Sequence, residues 1–208
     1  MIKQVRFKPR LAITTSRSPP RRTRSFLTDL CLSIPGLTKI ARGGKGFPVL
    51  IDEIKEKQIE GLFIVMSKQG NPSRIDYYNL KKPIPNKRQI IPEFSLILSG
   101  ISLSREIGKK DRPAFNFLEP PKTIPSWLEQ NPTAMTAFQE FLDVIKYEPD
   151  IKQIENNNIL GDNNLTTGIL SIKRSRRNNL LNFSFIEKIS NEEVGPRIFV
   201  ISFKKYNI

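Results

Sequence analysis

Residues 11–30 read LAITTSRSPPRRTRSFLTDL. Leu11, Ala12, Ile13, Thr14 and Thr15 form a short apolar, β-branched run of strand length. The next five residues are a loop, and Pro19 and Pro20 close it. A proline in the first helical turn loses no intrahelical bond, so the pair predicts a helix start. Phe26, Leu27, Leu30 and Cys31 then recur at helical spacing, and Pro35-Gly36 ends the helix. Outward from this unit the alternation continues. Residues 37–41 read as a second short strand, and Arg42 to Gly46 as a glycine-rich loop. Pro48 starts a second helix with Leu50, Ile51 and Ile54 inward and Asp52 and Glu53 early in it. Gly61 ends that helix. Residues 62–67 are a strongly β-prone central strand, 68–72 a turn, and 74–78 a strand that pairs back. Strand alternating with helix predicts an α/β layer with parallel pairs.

The rest of the chain reads differently. Residues 81–92 hold three prolines and four cations, the composition of a connector. An apolar run at 94–103 opens the second half. Residues 109–132 are loop-rich, with a short helical turn around 126–130. Asn131-Pro132 caps an amphipathic helix whose inner face is Met135, Phe138, Phe141, Leu142 and Ile145. Strands follow at about 151–155, 166–173, 180–186 and 197–203. The fold class expected is therefore α/β (α+β), in one domain over 1–208 made of halves 1–90 and 91–208.

Charge is unevenly placed. Of 34 Lys+Arg and 20 Asp+Glu, residues 1–90 carry 19 and 6, a net of +13, which leaves +1 for residues 91–208. The first 24 residues hold eight cations and no acid. A concentrated positive face points to a polyanion, foremost nucleic acid, rather than to an evenly solubilised surface. No apolar run approaches the ~20 residues of a helical membrane span. With no His and one Cys, the chain has no His general base, no His-activated nucleophile, no His metal ligand and no CxxC knuckle. No membrane partner, small-molecule substrate, metal or cofactor is expected. The lone Cys31 and the lack of a signal-peptide core point to the cytoplasm.

Three basic motifs stand out. Arg21, Arg22 and Arg24 occupy the first turn or so of the first helix, where its dipole disfavours cations. A bound phosphate reverses that, because free backbone N–H groups and guanidinium forks then face the same anion, with Arg17 beside them; the alternative is a tolerated run of surface charge. Arg42-Gly43-Gly44-Lys45-Gly46 precedes a helix but lacks the GxxxxGK[ST] spacing, which excludes ATP or GTP there. It is either an RNA-contacting loop or an ordinary glycine turn. Lys173, Arg174, Arg176 and Arg177 are either a second phosphate contact or a charged end that discourages edge pairing. Tyr77, Tyr78 and Phe7 could stack on bases, although aromatics on strands more often serve the core. Asp52, Glu53, Glu56 and Glu60 read as a solvated helix face.

These residues carry a resemblance. Residues 11–30 resemble the opening signature of Brix-domain ribosome-biogenesis proteins: a strand, Thr-Ser-Arg, a proline turn and an Arg-rich helix start. Arg42-Gly43-Gly44-Lys45 is similar to the Arg-Gly-Lys element of archaeal members. Phe63-Ile64-Val65 with Gly70-Asn71-Pro72-Ser73 resembles the family's strand and Gly-Pro turn, here with an inserted Asn. Val194-Gly195-Pro196-Arg197-Ile198 resembles its closing Gly-Pro-Arg strand. The resemblance implies a compact archaeal-type member with two similar halves, each a mixed sheet with helices like the anticodon-binding domain of class IIa aminoacyl-tRNA synthetases. It implies a non-enzymatic factor that binds ribosomal RNA or its precursor through the basic face during subunit assembly. Other assembly factors and ribosomal proteins are the further partners. Arg17, Arg21, Arg22 and Arg24 would grip phosphates, Arg42 and Lys45 would extend the track, and Lys173, Arg174, Arg176, Arg177 and Arg197 would close it. A tRNA-binding module is the alternative reading, and an RNA-modifying enzyme the more distant one.

Overall fold

The computed structural model describes residues 8–82, 90–109, 114–146, 166–174 and 181–206. The strand expected near 151–155, most of the 81–92 connector, Phe7, Arg176 and Arg177 lie outside the described residues. The described strands form one nine-stranded mixed sheet in the order β2-β1-β3-β4-β5-β9-β8-β7-β6.

The first four strands are β1 (Leu11–Thr15), β2 (Leu37–Lys39), β3 (Gly61–Lys68) and β4 (Asn71–Asn79). β1 pairs in parallel with both β2 and β3, as the alternating pattern predicts. Helix α1 (Arg21–Ser33) links β1 to β2, and α2 (Phe47–Glu56) links β2 to β3. The first crossover moves one way along the sheet and the second moves back over β1. With the crossover hand fixed, the two helices must cover opposite faces. The packing agrees. Phe26, Leu27 and Leu30 of α1 join Leu11, Ile13, Phe63 and Val65 in one core. Leu50, Ile51 and Ile54 of α2 join Ala12, Leu62 and Ile64 in the other. β1 is buried along its whole length, so its alternate residues serve both cores.

The remaining strands are β5 (Phe94–Ser102), β6 (Phe117–Glu119), β7 (Thr167–Arg174), β8 (Leu181–Glu187) and β9 (Arg197–Lys205). β4, β5, β9, β8 and β7 run antiparallel to their neighbours, and β6 closes the edge parallel to β7. A 3-10 turn (Ser104–Ile107), α3 (Ser126–Glu129) and α4 (Pro132–Ile145) complete the described elements. The Asn131 side chain caps α4 by accepting from Ala134 N–H at 3.1 Å, as read from the sequence. Ala134, Ala137, Phe138, Phe141 and Ile145 bury its inner face, with Met135 and Leu142 packed alongside. The larger core runs unbroken from Leu11 to Phe203 and takes side chains from both α1 and α4.

Four local details differ from expectation. β2 spans three residues, not five. Residues 109–132 hold the short strand β6, which a proline-rich context conceals. Asp52 and Glu53 lie beyond the first turn of α2, which carries no acid. The β3–β4 turn is Gln69-Gly70, with φ of 50° and 84°, the left-handed pair of a two-residue hairpin. Pro72 sits inside β4, beside the register shift at Met66/Ser67 that accommodates it.

Two residues give simple tests of this packing. A Cβ on Gly195 would lie 2.4 Å from Phe185 Cβ, because the Gly195 N–H donates to Phe185 O at 3.2 Å. The glycine of the Gly-Pro-Arg motif is thus required by close backbone approach. Gly195→Ala should cost about 1–3 kcal/mol, read as a lowered urea midpoint. Cys31 is half-buried, and burial pushes its thiol up to about 12 despite the nearby Lys39 charge. It should react slowly with a thiol reagent at pH 8 in the native protein and promptly after denaturation.

Candidate nucleic-acid interface

The loops that follow β1 and β2 leave the sheet toward opposite faces, since α1 and α2 lie on opposite sides. Because β1 and β2 are parallel, residues 16–20 and residues 40–46 leave the sheet at the same, carboxyl, end. The two loops are tied at their base. Thr14 Oγ1 donates to Ile40 O at 2.8 Å, and the Ile40 N–H donates to Ile13 O at 2.9 Å. Arg42 reaches across, its Nη1 donating to Thr15 O at 3.4 Å. Burial first, then the neighbouring Arg17 charge, lower the Arg42 pKa. An anion bound near both cations offsets their repulsion.

Lys45, on the same loop, is already engaged. It donates to the Glu53 carboxylate, which also accepts from Lys57 Nζ at 2.9 Å. These two lysines hold the Glu53 carboxyl below its ordinary value. Gly43, with φ of 56°, and Gly44 leave open space around the loop.

Helix α1 presents three faces at helical spacing. Thr23, Phe26, Leu27 and Leu30 are buried. Arg22, Ser25 and Asp29 meet the 3-10 turn of the second half in reverse order. Arg22 Nη1 and Nη2 donate to Glu106 Oε1 and Oε2 at 2.5 and 2.8 Å. Arg105 Nη1 donates to Ser25 Oγ at 3.3 Å, and the Ser104 N–H donates to Asp29 Oδ2 at 2.7 Å. Arg21, Arg24 and Thr28 form the third face and are exposed. Arg21 and Arg24 therefore stay open to solvent while Arg22 bridges the halves. No side chain caps α1, and no acid stands in its first turn, so its N-terminal field is unopposed on its own element.

Sequence reasoning passed over two cations here. Lys39, at the end of β2, donates to Thr28 Oγ1 at 3.3 Å and so joins the exposed Arg24 face. Strand alternation on β2 was the available signal. Arg10 belongs to the basic N-terminal stretch, yet its Nη2 donates to Val144 O and Lys146 O at 2.5 and 2.6 Å. It satisfies the last carbonyls of α4.

The second-half cations are placed elsewhere. Tracing the pairings, β1, β3, β5 and β8 run one way and β4, β9 and β7 the other. Lys173 and Arg174 end β7, at the opposite end of the sheet from the α1 N-terminus. Five strands separate β7 from β1, a span of about 29 Å at the usual strand spacing. Arg197 begins β9 opposite Ser102, at the same end as α1. Its guanidinium is filled by Glu193 at 2.7 Å on both arms, which raises its pKa. Tyr77 is a core residue stacked on Phe94, and Tyr78 leans on Phe47. Among the described residues no group of three or more His, Cys, Asp or Glu side chains could hold a metal ion. None of the described helices is long and apolar enough to cross a membrane.

The fold these elements define is an α+β fold with a mixed sheet, and solved structures share it. A crystal structure of a probable ribosomal biogenesis protein from Aeropyrum pernix K1 superposes with a TM-score of 0.62 at 23% identity, over 96% of this chain and 98% of that one. The structure of Mil, an archaeal Imp4-like protein, gives 0.61 at 16% identity, over 94% and 99%. No family model matches the chain. Sequence comparison gives the family. A probable Brix domain-containing ribosomal biogenesis protein from Thermococcus kodakarensis is 30% identical over 193 residues, covering 91% of this chain and 88% of that protein. One of the same description from Methanopyrus kandleri is 38% identical over 96 residues, covering 46% and 47%. One from Aeropyrum pernix is 36% identical over 94 residues, covering 45% and 50%. The stretch matched in these last two is about half the length of each relative. The chain belongs to the Brix-domain ribosomal biogenesis family.

Proposed function

We propose that this chain is a non-enzymatic RNA-binding factor of ribosome biogenesis, acting in the cytoplasm without a cofactor. It holds ribosomal RNA or its precursor by the phosphate backbone during subunit assembly, alongside other assembly factors and ribosomal proteins. The observation that carries this reading is the cluster at the carboxyl ends of β1 and β2. There the exposed Arg21 and Arg24 stand in the first turn of α1, which holds no acid, Lys39 bonds Thr28 on the same helix face, and Arg42 reaches from the next loop to Thr15. Uncompensated guanidiniums beside free backbone N–H groups form a phosphate site. Family membership supports the ribosomal target.

Two finer statements belong to the same proposal. The chain works as one unit of halves 1–90 and 91–208, supported by the continuous sheet and the core that crosses both. Each half resembles the anticodon-binding domain of class IIa synthetases in this reading, which the β1-α1-β2-α2-β3 arrangement supports for the first half. Arg17, Arg21, Arg24 and Arg42 are the principal phosphate ligands in this reading. Lys45 and Arg197 are screened by their carboxylates, and Lys173 and Arg174 make a separate contact.

Titrating a labelled rRNA fragment at several salt concentrations tests it. With four phosphates engaged on a single strand, log affinity should fall against log salt with a slope near −3, at about −0.7 per contact. A flat response contradicts the proposal. Preference for tRNA over rRNA fragments would favour the synthetase-like module instead.

A further inference from the structure

Of the three arginines at the start of α1, Arg22 is already answered by a carboxylate. Glu106 fills its fork in the planar, two-armed geometry that a guanidinium also offers to a phosphate. The carboxylate comes from the second half, 84 residues away in sequence. Burial works against the charged form of Glu106, but the Leu103 N–H and the Arg22 fork outweigh it and hold its pKa below the ordinary value.

Resting on the RNA reading above, we infer that Glu106 is an internal stand-in for phosphate. In the free protein it occupies the Arg22 fork, and in the RNA complex a backbone phosphate displaces it. Four features support this. Arg22 shares the first turn of α1 with Arg21, on the neighbouring face, so an RNA chain that rounds the helix N-terminus reaches its fork. The pair is open to solvent, with 34% and 31% of its side chains exposed, so a ligand can reach it. Each partner has a second anchor that survives the exchange: Glu106 Oε2 accepts from Leu103 N–H at 2.9 Å, and Arg22 Nη2 donates to Ile101 O at 3.0 Å. Phosphates arriving at Arg21 and Arg24 bring negative charge up to Glu106, and that repulsion drives the exchange.

The consequence is selectivity. An isolated anion gains too little to displace Glu106, whereas an RNA backbone with closely spaced phosphates does. Glu106 thus lowers affinity for every polyanion and most for sparsely charged ones.

The test compares Glu106→Gln with Glu129→Gln, which makes the same charge change at an exposed residue of α3. A labelled rRNA fragment is titrated across salt, and melting temperature is recorded. Glutamine can still accept from Leu103 N–H, so the turn is retained. Glu106→Gln is expected to bind about tenfold more tightly, with a slope steeper by about 0.7, because the phosphate at Arg22 then releases its counterion with no freed Glu106 carboxylate to take a cation up. Adding Arg22→Gln to Glu106→Gln should abolish that gain. If Glu106→Gln matches Glu129→Gln in affinity and slope while wild type binds with a steep slope, this inference is overturned and the RNA reading stands. If wild type shows no salt-dependent binding, both fall together.

Discussion

Replacing Arg21 and Arg24 together with glutamate is expected to lower affinity for an rRNA fragment about 100-fold or more, with the melting temperature nearly unchanged. Each arginine supplies a charge-assisted contact of about 1.5–3 kcal/mol to a phosphate. Losing two such contacts gives roughly 10²–10⁴ in affinity by the usual conversion of 1.4 kcal/mol per decade, and the new carboxylates add repulsion. Folding does not need either side chain, since both are exposed on the solvent face of α1. Glutamate near a helix N-terminus is favoured by about 0.3–1 kcal/mol when exposed, so stability should hold or rise slightly. Arg22→Glu behaves oppositely: it sets a carboxylate against Glu106 and loosens the joint between α1 and the second half. Filter binding and thermal melting on the same preparations separate the two cases. Unchanged affinity in the double variant removes the α1 site.

Phe183→Ala is expected to give the largest loss of stability. Phe183 is fully buried on β8, and its ring lies 6.1 Å from Phe138, 5.8 Å from Phe141 and 6.1 Å from Phe203. It is the meeting point of α4 with β8 and β9. Truncation leaves a cavity bounded by three aromatic rings, whose positions are fixed by helix and sheet, so the site collapses poorly. The cost is about 3–5 kcal/mol, against total stabilities of about 5–15 kcal/mol for ordinary domains. At about 2–4 °C per kcal/mol for a chain of this size, the melting temperature should fall by about 6–20 °C. RNA affinity measured well below that temperature should stay within a few-fold of wild type, because α1 and its loops pack on the other end of the core. A melting temperature within 2 °C of wild type would contradict this account of the core.

The local features were legible because their causes are local. The proline-led start of α1, the period of Phe26, Leu27 and Leu30, the Asn131 cap and the β-branched run of β3 each act within a few residues. Residues 11–30 therefore gave the decisive unit, and the parallel pairing of β1 followed from alternation alone. What stayed hidden depends on contacts far apart in sequence. The charge run 21–24 shows three equivalent arginines, yet Arg22 differs from its neighbours because Glu106 folds against it. Arg10 reads as another surface cation, but its partners are the carbonyls of α4. Lys173 and Arg174 read as part of one track until the strand directions place them at the far end of the sheet. β6 is three residues long and is stabilised by pairing with β7, so its own sequence carries little signal.

Ultraviolet crosslinking in cells, with sequencing of the attached RNA and mass mapping of the crosslinked peptides, tests most directly whether this protein holds ribosomal RNA through its first half. Reads are expected at a few discrete positions of ribosomal RNA or its precursor, with peptides from residues 16–45 carrying the adducts. Reads dominated by tRNA, or adducts confined to the second half of the chain, would contradict it.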